Sequence, residues 1–94
     1  MNKYELTVVL PSGTSDTKIK SAKESVEKLI EGLKGKVEKT DEWGEIELAY
    51  EISGNKSGIF SQFLLELDPA SIKSVDDKLR HKEDIIRYLL VKKE

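Results

Sequence analysis

Cysteine is absent from the 94 residues, which excludes a disulfide framework, thiolate nucleophiles and sulfur-ligated metal sites. A single histidine, His81, leaves no imidazole set for zinc, and no serine elbow stands ready to complete a triad with it. The glycines Gly32, Gly35, Gly54 and Gly58 lack the spacing of a phosphate-cradling loop. Long apolar runs are missing too. The opening MNKYELTVVLPSG is too short and too interrupted for a secretory leader or a membrane span, so a cytoplasmic setting is expected. Nor does one sign of charge dominate. Sixteen basic against eighteen acidic residues give −2, whereas a self-sufficient nucleic-acid binder is usually clearly basic.

What is present is regular spacing. Hydrophobic residues make up 37% of the chain and recur periodically, so one domain over residues 1–94 with a single two-layer core is expected. Tyr4, Leu6, Val8 and Leu10 alternate as a half-buried strand does, and Pro11, Ser12 and Gly13 end it. Ser15 can cap a helix with Asp16 in its first turn. Ile19, Ala22, Val26, Leu29, Ile30 and Leu33 then follow helical spacing, and Gly35 stands at the expected C-terminal cap. Lys36 to Thr40 opens a second strand, Asp41, Glu42 and Gly44 suggest a bend or bulge, and Glu45 to Ile52 runs extended. Ser53 to Gly58 has hairpin-loop chemistry. Ile59 to Leu67 reads as a third strand, Asp68-Pro69 as a helix start, and Ile72, Val75 and Leu79 as a narrow helical stripe. Ile85 to Lys93 reads as a fourth strand.

The order strand, helix, strand, strand, helix, strand predicts an α+β, ferredoxin-like βαββαβ sandwich. Its four-stranded antiparallel sheet has the order 2-3-1-4, with both helices on one face. In the stretch WGEIELAYEI, alternation puts Ile46, Leu48, Tyr50 and Ile52 on the core face and Glu45, Glu47, Ala49 and Glu51 outside. Glu45 and Glu47, roughly 6.5–7 Å apart along a strand, have the separation of a glycosidase pair. An open sheet edge supplies neither burial nor a dry cleft, so these acids read as a solvated face and no catalytic residue is assigned. No metal site, cofactor or small-molecule substrate is expected either. His81 reads as a cation at a helix C-terminus.

On the helix-free face the pattern leaves Val9, Phe60, Leu64, Leu89 and Val91 outward, an apolar group that suggests a protein partner. KSGIFSQF, Lys56 to Phe63, follows the third-strand motif of an RNA-recognition module only loosely, since the aromatic spacing is wrong and the first strand offers only Tyr4. Basic residues gather near the chain ends. With the first and fourth strands adjacent, Lys3, Arg87, Lys92 and Lys93 are expected to form one phosphate-binding rim.

YELTVVL, then KVEKTDEWG followed by ELAYEI, then KLRHKEDIIRYLLVKK, in that order and at that spacing, resemble the family of the sixth protein of the bacterial small ribosomal subunit. The resemblance covers essentially the whole chain. It implies the ferredoxin-like fold and a non-enzymatic role: binding the central domain of small-subunit ribosomal RNA together with the subunit's eighteenth protein. It implies RNA contacts at Lys3, Arg87 and Lys92, and partner or RNA contact in the region of Tyr50. The chain departs from the family at Glu45, Ile46 and Glu47, where relatives usually carry arginines or lysines, and at Glu51, commonly proline. Acids there repel phosphate. The competing expectation is therefore a protein–protein interaction domain of the same fold with weakened or lost RNA binding.

Overall fold

A computed structural model describes residues 2–52, 55–82 and 85–93. Strand β1 (Asn2–Pro11) leads to helix α1 (Asp16–Gly32), strands β2 (Lys36–Ile52) and β3 (Asn55–Leu67), a one-turn 3-10 helix (Pro69–Ser71), helix α2 (Ile72–Arg80) and strand β4 (Arg87–Lys93). The strands form one antiparallel sheet in the order β2-β3-β1-β4, the expected ferredoxin-like arrangement.

Local chemistry sets the helix ends. Ser15 accepts a hydrogen bond from the Lys18 amide at 3.3 Å and caps α1. Asp68 accepts one from the Ala70 amide at 2.9 Å and starts the second helical segment, with Pro69 in the first position. The C-terminus of α1 differs from expectation. Lys34, not Gly35, takes the left-handed conformation, with φ 63°. The Lys34 amide donates to Glu31 O and the Gly35 amide to Ile30 O, both at 2.9 Å, the paired bonds of a Schellman cap. Gly35 is needed for space instead. A Cβ there would lie 2.8 Å from the Glu66 carbonyl oxygen and 2.9 Å from Ile30 Cγ2, so only glycine lets the chain pass this close to β3.

The core is the layer between sheet and helices. Tyr4, Leu6, Val8 and Leu10 from β1, Phe63, Leu65 and Leu67 from β3, Val26 and Ile30 from α1, and Val75 and Leu79 from α2 make one buried cluster. The alternation expected of β1 and β3 holds on this side, with Leu6 opposite Phe63 and Tyr4 opposite Leu65. Each such side chain contributes about 1.5–3 kcal/mol when fully buried. Strand β4 is tied to the helical layer through Tyr88. Its hydroxyl donates to the Asp76 carboxylate, which also accepts from Arg80 at 2.5 Å. These two bonds, Tyr88 first, hold the Asp76 carboxyl below the usual carboxylate range, and the bond to Asp76 raises the Tyr88 hydroxyl.

Two expectations about faces need correction. Strand β2 is a single 17-residue strand, but its register slips between Val37 and Lys39, between Glu42 and Gly44, and again between Glu47 and Ile52. The second slip, with Gly44 at φ 78°, reverses the parity from Glu45 to Glu47. Glu45 pairs with Ile59 on the helix side, and Ile46 pairs with Gly58 on the open side. An inserted residue at a bulge exchanges the two faces of everything after it. Val9 was expected outward and exposed. It does face the open side, opposite Phe60 and Arg87, yet only 4% of it is exposed. The bare surface of Gly58 admits it: a Cβ on Gly58 would stand 2.5 Å from Val9 Cγ1 and 3.7 Å from Phe60 Cε1.

Candidate functional site

The helix-free face of the sheet is built from rungs that the register defines. At one end Lys36, Glu66, Lys3 and Lys93 lie side by side across β2, β3, β1 and β4. Next come Lys39, Leu64, Glu5 and Val91, then Asp41, Gln62, Thr7 and Leu89, then Gly44, Phe60, Val9 and Arg87. Ile46 and Gly58 follow at the far end.

The expected basic rim does not come together. Lys3 and Lys93 are direct neighbours, but Arg87 is six residues along β4, roughly 20 Å away at about 3.4 Å per residue. Lys92 pairs with Tyr4 and so belongs to the helix side. Strand alternation separates Lys92 from Lys93, a spacing that proximity in sequence conceals. The two neighbouring lysines also carry acid partners: Lys3 Nζ lies 3.7 Å from Glu38, and Lys93 Nζ lies 3.2 Å from Glu5. Glu5 in turn accepts from Gln62 Nε2 at 3.2 Å. Such half-exposed pairs are weak and exchange readily for other anions.

The apolar positions divide in the same way. Leu89 and Val91 on β4 are open to solvent, at 60% and 47%, as expected, whereas Phe60 and Leu64 are half-buried and Val9 is covered. The Tyr50 side chain lies outside the described residues, as does that of Glu51. Two exposed residues were missed: Trp43 at 49% and Ile46 at 38%. Trp43 stacks on Phe60, ring centroids 6.4 Å apart and planes inclined by 10°, an offset aromatic pair. The available signal was a lone tryptophan beside the glycine of a suspected bulge. Its face follows from alternation with Asp41 on the open side and from the stack on Phe60.

Glu45 and Glu47 are exposed, in keeping with solvated carboxylates. Glu45 accepts from the Ser12 hydroxyl and Glu42 pairs with Lys23. Among the described residues no group of three or more acids, histidines or cysteines is placed to hold a metal ion. The cleft beside these acids, about 390 Å³ and lined by Thr14, Asp16, Ile19, Glu42, Glu45 and Ser61 among others, is open to solvent. His81 Nδ1 donates to the Asp77 carbonyl at 2.6 Å and closes the C-terminus of α2.

A surface of this kind, an open sheet with scattered cations and exposed apolar side chains, suits binding rather than turnover. The model of the ribosomal protein S6 family matches residues 3–92. The chain belongs to the ribosomal protein S6 family. It is similar to small ribosomal subunit protein bS6 of Alkaliphilus metalliredigens, 37% identical over 98% of this chain and 97% of that one. It is also similar to bS6 of Salinispora tropica, at 33% over 100% and 98%. The solved 30S ribosomal protein S6 of Thermotoga maritima superposes with a TM-score of 0.92 at 24% identity, over 98% of this chain and 87% of that one, and shares its fold. Within the S6 family this chain carries its acids at the β2 edge, from Asp41 to Glu47, and its exposed apolar residues on the open face.

Proposed function

We propose that this S6-family chain is a structural, non-enzymatic component of the small ribosomal subunit. In this reading it binds the central domain of small-subunit ribosomal RNA cooperatively with the subunit's eighteenth protein, in the cytoplasm. The observation that carries the reading is the open sheet face: Trp43 and Ile46 at one edge and Leu89 and Val91 at the other are exposed on it, apolar side chains that a protein partner would cover. Lys3 and Lys93 at one end supply neutralising charge for phosphate, with Arg87 at the other end of β4 as a second contact. So few cations make weak RNA binding alone. A second protein that adds its own basic contacts while docked on this chain converts weak affinities into a strong joint one. A filter-binding titration of central-domain RNA, with and without the eighteenth protein, tests this. Binding that tightens at least tenfold with the partner is expected; no binding under either condition refutes it.

The spread of Lys3, Arg87 and Lys92 over two faces, and the pairing of Lys3 and Lys93 with acids, favour a second reading. In it, the fold serves protein–protein contact and RNA binding is weak or lost. A steep salt dependence of RNA affinity, abolished by Arg87→Ala with Lys92→Ala, counts against that reading.

A further inference from the structure

We propose that the cleft between the start of α1 and the β2 edge binds a short aliphatic diamine or polyamine through its ammonium groups. The cleft lies on the helix side of the sheet, away from the open face, so its occupancy is independent of the ribosomal reading above.

The bulge builds the site. Glu42 and Glu45 stand three residues apart, and in an unbroken strand they would point to opposite sides. The slip between Glu42 and Gly44 turns both toward the helices: Glu42 pairs with Ser61, itself opposite Val8, and Glu45 pairs with Ile59, itself opposite Leu10. Bulges often re-aim side chains in this way beside functional sites. Asp16, in the first turn of α1, lines the same space, so three carboxylates surround an open cleft of about 390 Å³. Ile19 and Ile59 give it apolar walls. Ser61 independently calls for a donor. It lines the cleft and is only 3% exposed, yet its Oγ has no hydrogen-bond partner among the described residues. A buried hydroxyl left in that state is costly, and an N–H group seated in the cleft satisfies it.

The lining selects the ligand. No lysine, arginine or histidine lines the cleft. Lys23 meets Glu42 at its border and cancels that charge, and the α1 N-terminus offsets part of the charge on Asp16. Glu45 accepts from the Ser12 hydroxyl, a neutral partner, and is the main anchor for a cation. Among the described residues the acids do not converge into a group that could hold a metal ion. They are spread around apolar walls instead, which suits charges spaced along a hydrocarbon chain. One ammonium sits between Glu45 and Asp16, the methylenes lie along Ile19 and Ile59, and a second ammonium donates to Ser61 Oγ beside Glu42. The Ile59 and Ser61 rungs are roughly 6.5–7 Å apart along β3, a separation that a short diamine spans.

The full chain is titrated with putrescine and with spermidine at constant ionic strength, and separately with magnesium chloride and potassium chloride, while amide NMR shifts are followed. Both amines are expected to give saturable shifts at Gly13, Thr14, Gly44 and Ser61, and neither salt should reproduce them. In calorimetry Glu45→Gln should weaken spermidine binding at least fivefold and Ser61→Ala at least threefold. Ser61→Ala removes only an unpartnered hydroxyl, so the fold survives and the loss reports on the ligand. Asp41→Asn, on the open face, should change the affinity less than twofold. Absence of saturable binding overturns the proposal. So do equal shifts with magnesium or potassium, which reduce the cleft to a general counterion site. Spermidine affinity that Glu45→Gln or Ser61→Ala leaves unchanged overturns it as well. No partner protein or RNA enters the assay, so each of these failures leaves the reading of the preceding section standing.

Discussion

Neighbouring substitutions at the end of α1 should move stability in opposite directions. Lys34 holds φ 63°, a conformation that costs a side-chain-bearing residue about 1–2 kcal/mol relative to glycine. Lys34→Gly removes that cost but returns about 0.5–1 kcal/mol through the greater freedom of the unfolded chain. A net gain of about 0.5–1 kcal/mol is expected. Gly35→Ala meets atoms that cannot retreat. The Glu66 carbonyl 2.8 Å from the new Cβ belongs to a residue paired with Lys3 on one side and Lys36 on the other. Ile30 and Leu67, also in the way, are fully buried. Overpacking of this kind costs about 1–3 kcal/mol. Urea unfolding should show the midpoint rising for Lys34→Gly and falling for Gly35→Ala, with the slope unchanged in both. In a domain of this size about 1 kcal/mol also moves the melting temperature by about 4–8 °C. A harmless Gly35→Ala, or a destabilising Lys34→Gly, would refute the assignment of cap and close approach to these two positions.

The buried Ser61 hydroxyl has no hydrogen-bond partner among the described residues, so Ser61→Ala should stabilise the fold by about 0.5–1 kcal/mol; loss of stability in the same urea assay would show that the hydroxyl is satisfied. Gly58→Ala would push a methyl group into Val9 Cγ1 and should cost about 1–3 kcal/mol while shifting Trp43 emission, because Phe60 leans on the same spot. The lowered Asp76 carboxyl contributes stability that is complete above its unfolded value of about 3.9 and disappears as pH falls through the lower folded value. Asp76→Asn should therefore flatten the acid limb of the stability curve below about pH 4, read by thermal melts over that limb; an unchanged limb counts against the Tyr88–Asp76–Arg80 linkage.

The sequence was most legible where one side chain's fate depends on near neighbours. Ser15, Asp68 and Pro69 mark helix starts because capping is a matter of adjacent amides. The strand β1 alternation and the stripe of Val75 and Leu79 identified the core face because periodicity along a chain is local. The candidate site was less legible. Leu89 and Val91 were placed correctly because β4 runs without interruption. Trp43 and Ile46 were missed, Glu45 was put on the wrong face, and Lys92 was grouped with Lys93 although alternate residues of a strand point apart.

Element order, strand order and the composition of the helix-facing core were set by the amino-acid pattern alone, since each follows from spacing within a segment and from the few ways such segments pack. The tertiary structure decided which side of the sheet Glu45, Ile46 and Glu47 occupy, whether Val9 is wet, and how far Arg87 stands from Lys3. Those depend on pairing between strands distant in sequence: a one-residue slip at Gly44 costs little locally but inverts the faces of Glu45, Ile46 and Glu47.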